Sequence, residues 1–311
     1  IMPRNVHRSA INALVLCGAV PVYVNPGVDP QLGIALGMSL ADVERAIEAN
    51  PDAKAVLVNN PTYYGVCSDL RSIVKLAHAH GMRVLADEAH GTHFSFSDAL
   101  PVSAMAAGAD MAAVSMHKSG GSLTQSSMLL IGPAMSEGYV RAVINLTQTT
   151  SASYLLLASL DISRRNLALR GQETMARVAA LAEYARAEIN AIGDYVAFSK
   201  ERINGTSFFD FDITKLSVHT LGLGLAGIEV YDLLRDEYGI QIEFGDIGNI
   251  LAYVSVGDRE RFRRTGTAGM LTQEYIPPQV VLSPQDAYYG RKVRLPLEQC
   301  EGRVCGEFVM C

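Results

Sequence analysis

VLADEAHGTHF at residues 84–94 and VSMHKSGGSLTQ at residues 114–125 are the two stretches that decide the fold. Each opens as a short apolar run and passes directly into polar and small residues, as a buried parallel strand does where its carboxyl end opens onto a loop. Outward from them, residues 53–59 (AKAVLVN), 82–87 (MRVLAD) and 110–115 (DMAAVS) are predicted strands. A helix over residues 69–80 is stopped by Gly81. Strands alternating with helices specify an α/β unit with a mainly parallel sheet, expected over residues 1–190. The Ala-, Leu- and Arg-rich stretch 167–192 is predicted helical. Beyond it, a strand at 214–221, a helix at 228–238 and strands at 240–244 and 250–256 make a small α+β unit over 191–265. Residues 266–311 are expected to hold a linker and the start of a C-terminal unit.

The 311-residue chain is long enough for a large core. Its 26 basic and 32 acidic residues give a net charge of -6. No basic run is interleaved with aromatics, which argues against nucleic acid as a partner. No apolar run is long enough for a bilayer, and no signal peptide is evident, so a cytoplasmic location is expected. Five scattered cysteines (Cys17, Cys67, Cys300, Cys305, Cys311) fit reduced thiols.

In open α/β sheets, ligands gather at the carboxyl ends of the strands. The two opening stretches put Asp87 and Lys118 there. A lysine amine for a covalent bond and a carboxylate that keeps a pyridine nitrogen protonated are what pyridoxal phosphate (PLP) requires. On spacing alone, a solvated lysine and a turn-capping aspartate fit as well. Ser115, His117 and Ser119 flank Lys118 and are suitable phosphate donors. His90, His93 and Asp87 also suggest a metal cluster, but a short loop without a firm third ligand argues for none. The DEAH sequence at residues 87–90 resembles that of nucleotide-driven helicases. No Gly-Lys dipeptide exists to build the phosphate loop such an enzyme needs.

With these motifs the chain resembles the Orn/Lys/Arg decarboxylases, PLP enzymes of the aspartate-aminotransferase-like fold (fold type I). The likeness extends to PRNVHRSAINAL at 3–14, NNPTYYGVCSDL at 59–70, LTQTTSASYLLLASLD at 146–161 and VVLSPQDAYY at 280–289. It implies decarboxylation of lysine, arginine or ornithine by a homodimer or higher homo-oligomer. It implies Lys118 as the lysine that carries the cofactor, Asp87 as the partner of the pyridine nitrogen, and His117 with Ser115 at the phosphate. His7 would stack on the cofactor ring, His90 would contact the cofactor, Thr150 would lie near the phosphate, and Glu243 would meet the substrate's distal cation. Ala152 replaces the proline usual in that stretch. Family members carry a Gly-Ser/Thr phosphate turn before PRN-x-H, and a segment continuing beyond EFVM at 307–310. The chain is therefore expected to be a piece cut at both ends. Another PLP reaction on the same fold, or an inactive dimerising subunit, remains open on this sequence.

Overall fold

The computed structural model describes residues 1–258. Strand β1 (Met2–Pro3) pairs in parallel with β2 (Tyr23–Val24), and α1 (Arg8–Cys17) joins them. The hairpin β3 (Val28–Asp29) and β4 (Ile34–Ala35) leads to α2 (Leu40–Ala49) and then to β5 (Ala55–Asn59). After β6 (Val66–Cys67) come α3 (Leu70–Ala79), β7 (Arg83–Asp87), the short α4 (Ala104–Ala107) and β8 (Met111–Val114). A four-residue helix, α5 (Met116–Ser119), precedes β9 (Met128–Ile131), α6 (Glu137–Thr147) and α7 (Tyr154–Ile192). The remainder is β10 (Val196–Ala197), β11 (Asp210–Phe211), β12 (Lys215–His219), α8 (Gly227–Tyr238), β13 (Phe244–Gly245) and β14 (Asn249–Tyr253).

The first large sheet has the order β5-β7-β8-β9; β5, β7 and β8 are parallel, and β9 joins antiparallel at the edge. Its strands alternate buried and less buried positions, with Val56, Val58, Val84, Ala86, Ala112 and Val114 inside. Helix α3 covers this face with Leu70, Ile73, Val74 and Ala77, a spacing that makes one helical stripe. Each large side chain so buried contributes about 1.5–3 kcal/mol. Asp110 fixes how β8 enters: its carboxylate accepts the Val84 N–H at 2.8 Å and the Arg83 guanidinium at 2.7 Å. The second sheet has the order β10-β12-β14-β13 and is antiparallel throughout. Its core joins Leu216, Val218, Ile250 and Ala252 to Ile189 of α7 and Val230 of α8.

The predicted strands at 53–59, 82–87 and 110–115 and the helices at 69–80 and 228–238 form within one or two residues of expectation. Helix α7 starts at Tyr154, well before the predicted residue 167, because its first turns carry apolar side chains outward: Tyr154 is 87% exposed. A stripe facing solvent gives no inward periodicity to read. Within α7, Gly171 is required by packing, since a Cβ there would stand 2.8 Å from the Phe96 Cβ. The strand predicted at 240–244 shrinks to Phe244–Gly245, and Ile240 and Ile242 are buried from a non-strand segment instead. Cys17 and Cys67 are free thiols. The expected linker, VVLSPQDAYY, EFVM, Cys300, Cys305 and Cys311 lie outside the described residues. Among the described residues, no helix is long and apolar enough to cross a membrane.

Candidate active site

Strands β7 and β8 run in parallel register with Asp87 beside Ala113, so both deliver their next residues to one rim. Asp87 ends β7 half-buried, and one of its oxygens accepts the Ala89 N–H at 3.2 Å. Beyond β8 the chain turns at Ser115 into α5, which exposes Lys118. The rim expected from sequence thus holds both residues.

Adjacent residues of the DEAH turn go to different places. Glu88 is 1% exposed and points inward, where its carboxylate accepts the Ala104 N–H at 2.7 Å at the start of α4. Burial pushes its carboxyl up to about 8, against the pull of that hydrogen bond. The folded state therefore binds a proton that the unfolded state releases above its ordinary value of 4.5. The contribution of Glu88 to stability should fall as pH rises from there towards 8, by up to ~1.4 kcal/mol per pH unit. Glu88→Gln, which keeps an acceptor for Ala104, should make the slope of stability against pH more positive in denaturant titrations between pH 5 and 8; an unchanged pH slope would refute it.

His90 sits between two lysines. Its Nε2 is 3.1 Å from Lys118 Nζ, and its Nδ1 is 3.1 Å from Lys215 Nζ. The Tyr253 hydroxyl also lies 3.1 Å from Nδ1, and the Tyr63 ring stands edge-on at 4.6 Å. Burial first, then the charges of Lys215 and Lys118, pull the imidazole down to about 2, so it is neutral. Lys215, on β12, is completely buried. Its Nζ rests 3.4 Å from the centre of the Tyr253 ring, a cation–π arrangement. Burial lowers its amine to about 7, although Asp212 and Glu243 oppose the fall.

His93 parts from His90: it is buried, and its Nε2 is 3.1 Å from Asp212, which also accepts the Thr214 hydroxyl at 2.7 Å. Burial works against the Asp212 carboxylate, yet His93, Lys215 and Thr214 hold it below the usual range. The two histidines thus serve separate networks rather than one cluster. His117 turns its Nδ1 to the Ser126 carbonyl at 3.0 Å, which makes Nδ1 the donor and leaves Nε2 without a hydrogen bond among the described residues. Ser115 makes no side-chain capping bond.

His7 is the exposed N-cap of α1 and accepts the Ser9 N–H at 3.2 Å. Thr150 is exposed on the connection between α6 and α7, and among the described residues no hydrogen bond ties it to the rim. Glu243 is exposed and precedes β13; its carboxylate accepts the Tyr63 hydroxyl, so it reaches the ring that packs against His90. It does not stand alone in an apolar strand, as its surroundings in the sequence suggest. The neighbouring Tyr64 hydroxyl donates to Asp246.

Lys215, Tyr253, Tyr63 and Asp212 escape a reading of the sequence. One signal was available: a lysine inside the apolar run ITKLSV needs a buried partner as much as an isolated glutamate does.

The family model described as "Orn/Lys/Arg decarboxylase, major domain" matches residues 1–221. An arginine decarboxylase of Halalkalibacterium halodurans is 43% identical over 328 aligned positions, covering 100% of this chain and 67% of that protein. One of Bacillus cereus is 42% identical, covering 100% and 71%. The crystal structure of the Francisella novicida lysine decarboxylase superposes with a TM-score of 0.70 at 19% identity, over 83% of this chain and 42% of that one. The chain therefore spans about two thirds of the curated relatives and under half of that structure. The superposition shows the fold, the α/β architecture of fold-type I PLP enzymes. The matched model and the identity to whole-chain relatives establish that the chain belongs to the Orn/Lys/Arg decarboxylase family.

Proposed function

We propose that this chain carries the catalytic region of a PLP-dependent decarboxylase of basic amino acids, with arginine as its substrate. The observation that carries the reading is the emergence of Asp87 and Lys118 from neighbouring parallel strands at one rim. The family supports the reaction, and the curated relatives named arginine decarboxylase support the substrate.

The donor chemistry fits the cofactor. Asp87 has a carboxylate oxygen without a hydrogen bond among the described residues, Lys118 an exposed amine, and Ser115 and His117 free polar atoms nearby. Lys118 would hold the cofactor covalently, and Asp87 would keep its pyridine nitrogen protonated. Ser115 and His117 would serve the phosphate, Thr150 would reach the phosphate of a neighbouring subunit, His7 would serve the ring face, and His90 would steady Lys118. When bound, the cofactor supplies an electron sink for the pair left as the substrate's carboxylate departs as CO2. Glu243 would take the substrate's distal cation.

The test is incubation with arginine, lysine and ornithine in turn, with PLP added. Release of CO2 with agmatine from arginine is expected; a keto acid, or no product from any of the three, would overturn the reading. Glu243→Gln should raise KM for the cationic substrate by roughly ten- to a hundredfold, the loss of one charge-assisted hydrogen bond, with kcat changing less. An unchanged KM would remove Glu243 from the substrate site. A homodimer or higher oligomer is part of the proposal. Val15 and Leu16 of α1, Leu146 of α6 and Tyr154 of α7 are each more than four-fifths exposed, as uncovered interface residues would be.

A further inference from the structure

Hydrogen counting at His90 constrains the two lysines. A neutral imidazole has one N–H and one lone pair. An ammonium group can donate but cannot accept. His90 has an amine nitrogen 3.1 Å from each ring nitrogen. One contact can therefore be ammonium to lone pair, while the other must be imidazole N–H to an uncharged amine. With both lysine contacts made, and the Tyr253 hydroxyl, also 3.1 Å from Nδ1, donating instead to the His90 carbonyl at 3.4 Å, one of Lys118 and Lys215 is neutral.

Lys215 is built to hold the variable proton. Its stem passes over Gly65, where φ is +91° and a Cβ would meet the Lys215 Cγ at 2.8 Å. Its amine is enclosed by the Tyr253 ring, the Tyr63 ring at 5.7 Å and the His90 imidazole. Among the described residues, no carboxylate oxygen lies within 4 Å of Nζ, so this lysine is not held by an ion pair as a buried structural lysine usually is. The charged and titratable groups facing it are Asp212 beside β12, Glu243 before β13, Cys67 on β6, Lys118 on α5, and Tyr253 on β14. Those facing His90 are Lys215, Lys118, Tyr253, Tyr63, Asp212 and His7.

We propose that Lys215 is the proton-accepting end of a Lys118–His90–Lys215 relay. The Lys118 ammonium gives a proton to His90 Nε2 as His90 Nδ1 gives its own to Lys215 Nζ. One N–H bond breaks and one forms at each step, the imidazole changes tautomer, and total charge is conserved. Lys118 is left as a neutral amine, able to attack a carbonyl. Lys215 is left as an ammonium over the Tyr253 ring, where the cation–π contact stabilises it. The usefulness of this step rests on the proposed role of Lys118. Lys215 acts only through His90 and is a positioning residue. Its lowering to about 7 by burial puts the exchange in reach of neutral pH.

Two measurements on the full chain test this. The first follows the ring nitrogens of His90 by 15N NMR, without cofactor, across neutral pH. A protonated Lys215 donates to Nδ1 and leaves the hydrogen on Nε2; as Lys215 loses its proton, the hydrogen should move to Nδ1. Lys215→Met should abolish the change, and a single tautomer throughout in the unsubstituted protein overturns the relay. The second measures trapping of Lys118 by pyridoxal phosphate and cyanoborohydride, read by peptide mass spectrometry. Lys215→Met and His90→Phe should each slow trapping by about tenfold near neutrality and move its pH midpoint upward, and the double variant should be no slower than either. Slowing by one factor at every pH marks a structural role and overturns the relay. Failure to trap Lys118 in the unsubstituted protein refutes the proposed function instead, and the His90 measurement then decides the relay by itself.

Discussion

Lys118→Ala is expected to lower amine production at least roughly 10³-fold, the scale on which removal of a covalent catalytic group acts. It should also abolish the borohydride-trapped cofactor adduct, while the protein stays folded. The last point follows from its position. Lys118 is exposed on a four-residue helix, and its side chain makes one polar contact, to His90. Exposed substitutions of this kind cost within about 0.5 kcal/mol, so the melting temperature should hardly move. Lys118→Arg should not restore activity, since a guanidinium stays protonated and cannot bond a carbonyl. Substantial product from the alanine variant would remove Lys118 from the centre of the reaction and reopen the choice of anchoring lysine, with Lys215 next in line by proximity to His90.

The second large effect concerns the strand that carries Lys215. Arg186 on α7 is buried, and its guanidinium donates to the carbonyls of Phe198 at 3.1 Å, Ile213 at 3.1 Å and Lys215 at 2.9 Å. Glu183 pairs with it at 2.9 Å, and the Phe211 ring lies 5.7 Å beneath it. These carbonyls flank or belong to β12, so one side chain ties the long helix to the strand that aims Lys215 at His90. Arg186→Met preserves volume but leaves three buried acceptors without donors, each costing about 1–3 kcal/mol if water cannot reach it. A net loss of about 3–5 kcal/mol is expected, equivalent to a fall of roughly 6–20 °C in melting temperature for a unit of this size. Arg186→Lys should recover part of it through a single donor. A loss under about 1 kcal/mol in denaturant unfolding would mean that water replaces the guanidinium.

The pH dependence of stability has opposed contributions. His90, lowered to about 2, is neutral in the folded chain where the unfolded chain holds a proton below its ordinary value of 6.5, so its contribution rises with pH up to there. Glu88 removes stability as pH climbs through its window below 8. Lys215 works oppositely: between about 7 and its ordinary value of 10.5 the unfolded chain holds a proton that the folded chain has lost, so stability rises with pH there. Glu88→Gln and Lys215→Met, each compared with the unsubstituted protein, give each contribution as the change in pH slope over its own window.

Much of the framework was legible in the chain itself. The apolar runs ending at Asp87 and Val114 and the helix stripe Leu70, Ile73, Val74 and Ala77 are local patterns with local causes: alternation on a pleat, 3.6-residue periodicity and a glycine stop. They suffice to bring Asp87 and Lys118 to one rim, because parallel strands that neighbour each other deliver their carboxyl ends together. Tertiary structure alone decided what surrounds them. Lys215 reaches His90 from 125 positions away and Tyr253 from 163, out of a second sheet whose docking no local pattern encodes. Burial, helped at Lys215 by the charge of Lys118, lowers that amine to about 7 and makes Glu88 a reluctant acid, since desolvation belongs to the packed interior and to no residue taken singly.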